Sequence, residues 1–148
     1  ELQALVATSS LPSPRRTAQG VDSGRLAMIL AVLERRAGAA LAKADVYALA
    51  VGGVKVTEPG ADLALALAVA SAIQSEPVDP HLVACGEIGL GGELRQVAHT
   101  HRRLAEAARL GFKRAVVPYS APQDVEGIDL IRVGTLPDAI DRLGLVRT

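Results

Sequence analysis

Aromatic side chains are almost missing from this sequence: two Tyr, one Phe and no Trp in 148 residues. The core must therefore be built from Ala, Val, Leu and Ile, in a chain that is 49% hydrophobic. So few rings argue against base-stacking platforms of the kind that hold single-stranded nucleic acid. A charge of one sign is missing too. Sixteen basic residues cancel sixteen acidic ones, which removes any global argument for a nucleic-acid partner. The single cysteine, Cys85, excludes a disulfide framework and suits a reducing compartment. No run reaches membrane-spanning length: the most apolar helical stretch is about 13 residues, or about 20 Å, against about 30 Å of hydrocarbon. No secretory signal is visible. The expected setting is the cytoplasm, with no membrane partner. The length fits one domain over residues 1–148. The chain opens at Glu1 and its only Met is Met28, so the expectation is a fragment of a longer protein.

What is present is an alternation of strand and helix signals. Leu2 to Ala7 and Thr17 to Val21 read as strands, separated by a turn-rich segment carrying Arg15-Arg16. Asp22 or Ser23 caps a helix to about Ala37, with Leu26, Ile29, Leu30 and Leu33 as its apolar stripe and Gly38 as its terminator. Val46 to Val51 is apolar at successive positions, as in a central strand covered on both faces. Val54 to Thr57 reads as a further strand. The helix from Ala61 to Ile73 has no polar face and is expected to be buried. Leu82 to Glu87 and Glu93 to Val97 read as strands joined by a hairpin through Gly89-Leu90-Gly91-Gly92. Thr100 can cap a helix to Leu110. Arg114 to Pro118 and Asp129 to Val133 are strands, and Thr135-Leu136-Pro137-Asp138 opens a last helix. The sum is an α+β domain with mixed sheets, about four helices and six to eight strands.

The stretch Thr57-Glu58-Pro59-Gly60-Ala61-Asp62 is a turn feeding the buried helix, the place where α/β folds set a nucleophile or an anion site. It holds no Ser, Thr or Cys where turn meets helix. Glu58 and Asp62 read as first-turn carboxylates that favour the helix dipole. Gly52-Gly53-Val54-Lys55 lacks the spacing of a phosphate-binding loop. His81, His99, His101 and Cys85 lack zinc-ligand spacing, so no metal site is expected. Residues 99–114 hold Arg102, Arg103, Arg109, Lys113 and Arg114 against one acid, Glu106. Arg102 and Arg103 fall in the first turn of their helix, where cations oppose the dipole and suit an anion. A solvated face or intersubunit ion pairs are the plain alternatives.

Several runs, taken in order, resemble one family. They include Pro14-Arg15-Arg16-Thr17-Ala18, Asp22-Ser23-Gly24-Arg25-Leu26-Ala27, Val56-Thr57-Glu58-Pro59-Gly60-Ala61-Asp62-Leu63-Ala64, Gly86-Glu87-Ile88-Gly89-Leu90 and Arg103-Leu104-Ala105-Glu106-Ala107-Ala108-Arg109-Leu110-Gly111-Phe112. Nearly the whole chain resembles the C-terminal, Lon-protease-like domain of the bacterial DNA-repair ATPases of the RadA (Sms) family. The resemblance implies the fold of the Lon proteolytic domain. It also places the two members of the Lon Ser-Lys dyad at Gly60 and His101, so both positions are vacant and peptidase chemistry is lost. Ala is the commoner family residue at position 60.

The resemblance further implies a zinc finger and a RecA-like ATPase core upstream of Glu1. Zn, ATP and Mg would then belong to those parts, and the full-length protein would be a DNA-dependent ATPase. This domain itself would carry no cofactor. It would scaffold a homo-hexameric ring around single-stranded or branched DNA and act in branch migration beside the RecA recombinase. Arg15, Arg16, Arg25, Arg102 and Arg103 are the expected phosphate contacts. The alternatives are a residual Ser/Lys-type peptidase, and a small-molecule site in the vacated pocket lined by Glu58, Asp62 and His101.

Overall fold

The computed structural model describes residues 1–145. It is a mixed α and β fold with four α-helices and eight strands among the described residues. The strands are β1 (Leu2–Thr8), β2 (Arg16–Gln19), β3 (Ala44–Ala50), β4 (Leu82–Ala84), β5 (Glu87–Ile88), β6 (Leu94–Arg95), β7 (Arg114–Pro118) and β8 (Asp129–Val133). The helices are α1 (Ser23–Ala37), α2 (Asp62–Gln74), α3 (Thr100–Arg109) and α4 (Leu136–Arg142).

The first sheet has the order β1-β3-β2, with β1 antiparallel and β2 parallel to β3. The second, β4-β7-β8, is wholly parallel. A short antiparallel hairpin joins β5 to β6, as the glycine cluster at 89–92 predicts.

The main core lies between the two sheets. It joins Val46 and Ala48 of β3, Val116 of β7 and Val133 of β8 to Leu26, Leu30 and Leu33 of α1, Leu63, Leu67 and Val69 of α2, and Ala139 and Ile140 of α4. Here α2 is central. Seven of its residues are buried, Asp62 among them, in keeping with its all-round apolar sequence. A second, smaller core sits on the outer face of the parallel sheet. There Leu104 and Ala107 of α3 pack on Ala115 and Val117 of β7, with Ala121, Val125 and Ile128 of the following loop.

Local signals place several boundaries. Asp22 caps α1 by accepting the Arg25 N–H at 2.9 Å, and Gly38 ends it in the left-handed region at φ 70°, where a side chain is disfavoured. Thr135 caps α4 by accepting the Asp138 N–H.

Four expectations need correction. Strand β3 buries only the face of Ala44, Val46, Ala48 and Ala50; Leu49 on the other face is 40% exposed. Its run of small apolar residues imitates a doubly covered strand. Val54 to Thr57 forms no strand, and only Val56 makes a bridge, to Val21. The stretch Leu82 to Glu87 breaks after Ala84, because Gly86 turns away from β7 to bond the turn at Gly60. Finally, α3 is capped not by Thr100 but by His99, in the left-handed region at φ 61°. The Thr100 hydroxyl instead donates backwards to the Val97 carbonyl at 2.7 Å.

Candidate functional site around the turn before α2

The turn is a single 3-10 turn, Pro59–Ala61, running directly into α2. Proline sits at its first position, where a missing N–H costs no helix bond. Backbone bonds fix it to the second sheet: Gly86 N–H donates to the Gly60 carbonyl at 3.0 Å, and Leu63 N–H donates to the Gly86 carbonyl at 3.1 Å. The turn is thus held at the point where the chain leaves β4.

Two guanidinium–carboxylate pairs flank it. On one side is Asp62, 3% exposed. Both its oxygens accept from Arg25, Oδ1 from Nε and Oδ2 from Nη2 at 2.7 Å, and Oδ2 also accepts the Ile88 N–H at 3.1 Å. Glu87 adds a second carboxylate 3.6 Å from Arg25. Bidentate geometry of this kind is the strong form of the interaction. The hydrogen bond to Asp62 holds the Arg25 guanidinium above its ordinary pKa, against the opposing effect of partial burial. The expected dipole role of Asp62 is therefore joined by a larger one: it ties the first turns of α1 and α2 to β5.

On the other side is Glu58, 62% exposed, with Arg103 Nη2 at 2.9 Å from its Oε2. Arg103 Nε donates to the Ala98 carbonyl at 3.0 Å. Between the pairs lies Gly60. A Cβ there would stand 3.0 Å from Val97 Cγ2, 3.2 Å from Arg103 Nη1 and 3.6 Å from Cys85 Sγ. The charged side chain facing Gly60 is thus Arg103. His101, which gap-free counting assigns to the Lys position, is exposed on α3, lining an open surface with Arg109, Val125 and Glu126. Cys85 is buried beside the turn, and burial pushes its thiol pKa up.

The five arginines proposed for phosphate contact fall into different environments. Arg15 and Arg102 are exposed, and among the described residues their guanidinium groups make no hydrogen bond or ion pair. The Arg15 backbone N–H instead donates to Asp45 at 2.7 Å, which is the main reason that carboxyl is held below its usual pKa. Arg16 is half-buried and donates to the Leu41 carbonyl at 2.6 Å, with Glu34 at 3.9 Å. Arg25 is committed to Asp62 and Arg103 to Glu58. Further along α3, Arg109 grips Glu106 at 2.5 and 2.8 Å and lowers its pKa. His99, Arg102, Arg103 and Arg109 line one open groove on the outer side of α3.

Sequence reasoning missed the Arg25–Asp62 pair. The signal was available: a cation placed against a helix dipole has an unexplained cost, and a carboxylate partner removes it. Among the described residues no three His, Cys, Asp or Glu side chains are grouped to hold a metal, and no helix is long and apolar enough to cross a membrane.

Residues 28–121 match the family model described as subunit ChlI of Mg-chelatase. The DNA repair protein RadA of Synechocystis sp. is 49% identical over 95% of this chain and 28% of its own length. Those of Haemophilus influenzae and Escherichia coli are 48% and 47% identical, each over 95% of this chain and 31% of the relative. The chain therefore spans about a third of the length of these curated relatives. With a family model matched over more than half of its residues and near-half identity along almost all of them, the chain belongs to the family of that model, as the RadA domain shared by these DNA repair proteins.

Proposed function

We propose that this domain is a non-catalytic, Lon-like scaffold of a DNA-repair ATPase that contributes phosphate contacts to DNA. The identity to DNA repair proteins along almost the whole chain carries the repair role. Two features of the chain support the contact role. Arg102 and Arg15 are exposed cations without protein partners among the described residues, and Arg102 shares its groove with His99, Arg103 and Arg109. Contacts of this kind read phosphate and not base, so binding is independent of sequence. On this reading the domain holds a homo-hexameric ring, and copies of one weak contact add by avidity. The zinc finger and ATPase core, with Zn, ATP and Mg, belong to the rest of the protein. Branch migration beside the RecA recombinase is the activity they serve, in the cytoplasm.

A residual peptidase is disfavoured. An acyl-enzyme needs a nucleophilic oxygen or sulfur in the turn, and Gly60 has none. Arg103, always protonated, cannot serve as the general base. A small-molecule pocket is disfavoured too, because Val97, Arg103 and Cys85 fill the space around Gly60.

The test is DNA affinity across a salt series, measured by fluorescence anisotropy in the full-length protein. Arg102→Ala and Arg15→Ala are each expected to weaken binding to all sequences alike and to reduce the salt slope by about one. Wild-type affinity and slope in both variants, with assembly intact, would overturn the contact reading.

A further inference from the structure

We propose that the Arg103–Glu58 pair is a latch: it pins the start of α3 over the Pro59–Ala61 turn, shields the Cys85 thiol, and is released when a phosphodiester backbone takes the Arg103 guanidinium. The identity of the releasing anion rests on the DNA reading above; the latch itself does not.

Three observations carry it. First, Arg103 is a cross-link between separate parts of the fold. Its backbone belongs to α3, which packs on the smaller outer core, while its guanidinium reaches Glu58 ahead of α2, which belongs to the main core. Second, the slot it enters exists because residue 60 is glycine: Nη1 lies 3.2 Å from where a Cβ would be, with Cys85 Sγ on the same side at 3.6 Å. Moving Arg103 therefore opens a path toward a thiol that is otherwise 8% exposed. Burial is the main reason the thiol pKa is raised, and the thiol also lies within the field of both charges, Arg103 lowering that pKa and Glu58 raising it.

Third, the bond is weak enough to be exchanged. The Arg103 and Glu58 side chains are 32% and 62% exposed, and an exposed pair is worth about 0–1 kcal/mol. The same side chain borders the open groove that holds Arg102 and His99, so an anion entering that groove meets Arg103 as well. In the neighbouring Arg25–Asp62 pair the carboxylate is 3% exposed and gripped at both oxygens, so it cannot be exchanged this way.

Because Cys85 is the only cysteine, its alkylation by N-ethylmaleimide, followed by intact mass on the 148-residue chain, reads the latch directly. Glu58→Gln is expected to speed alkylation about threefold, the population shift that loss of an exposed pair allows. Rates are compared at the plateau of each pH–rate profile, because Glu58 also raises the thiol pKa, and a urea midpoint lowered no further than loss of that one pair allows excludes global unfolding. Oligothymidylate is expected to speed the wild type to the same level and to leave Glu58→Gln unaltered. A Glu58→Gln rate equal to wild type overturns the latch. Bound DNA, seen by anisotropy, with no change in the wild-type rate overturns the release. Absence of DNA binding by this chain and by the full-length protein defeats the DNA reading instead, and the Glu58→Gln rate then decides the latch alone.

Discussion

The two sides of the turn before α2 use the same chemistry to opposite ends. Each sets an arginine from a different helix against a carboxylate beside Gly60. On the Asp62 side the carboxylate is 3% exposed and accepts three hydrogen bonds. On the Glu58 side it is 62% exposed and accepts one. Removing one partner of a buried pair leaves an uncompensated charge, whereas water replaces a lost surface partner at little cost. Burial, not the type of pair, decides which contact is a fixed joint and which is exchangeable.

The sharpest way to break the comparison is on the Asp62 side. Arg25→Ala leaves the Asp62 carboxylate, 3% exposed, without the guanidinium that both its oxygens bind, and is expected to cost about 3–5 kcal/mol. Urea denaturation measures it; a loss below about 1 kcal/mol would erase the distinction between the two sides. Next comes Gly60→Ser. The backbone there is not in the left-handed region, so the whole penalty is crowding against Val97 and Arg103 at 3.0 and 3.2 Å. Overpacking of this order costs about 1–3 kcal/mol. The variant is also expected to form no acyl adduct with serine-directed reagents, since no base faces the new hydroxyl; intact mass checks this. At Glu58, Glu58→Gln is expected to cost at most about 1 kcal/mol, and the cost fades at about 1 M salt, where the screening length is about 3 Å. Thermal melts at two salt concentrations resolve that.

The smallest effect is alkaline. Burial raises the Cys85 pKa, so above about pH 8.5 the unfolded chain releases its thiol proton first. Stability is complete below that pH and falls as pH rises toward the folded value. Cys85→Ala is expected to remove that part of the slope in denaturation series run from neutral to alkaline pH.

The sequence showed the elements whose signals are local, and hid those that depend on distant partners. Strands β7 and β8 appear at the residues their apolar runs predict, and α1 and α4 begin at Asp22 and Thr135 because capping is written within four residues. The break after Ala84 and the left-handed cap at His99 have no such local signature. The turn itself was legible as the centre of interest, and so was the lack of Ser, Thr or Cys where it meets α2. Its partners were not. Arg25 lies 37 residues before Asp62, and Arg103 lies 45 residues after Glu58. A first-turn arginine reads as an anion ligand until the carboxylate that faces it is known. Counting from a distant glycine reaches the first turn of α3 but not the rotation of that helix, which points Arg103 rather than His101 at Gly60.

The central position of α2 also governs how this chain comes together in time. Its Leu63, Leu65, Leu67 and Val69 have no polar side to offer water. Their cover comes from both ends of the sequence: β1 and β3 before the helix, and β7, β8 and α4 after it. Strand β1 must wait for β3, its partner more than thirty residues later, and pairings of such separation form slowly. During synthesis the most apolar helix is therefore made before the second sheet exists to receive it. A piece that ends between α2 and β7 exposes that surface for good and is expected to aggregate. The reverse cut, removing β1, strips the same helix from the other side.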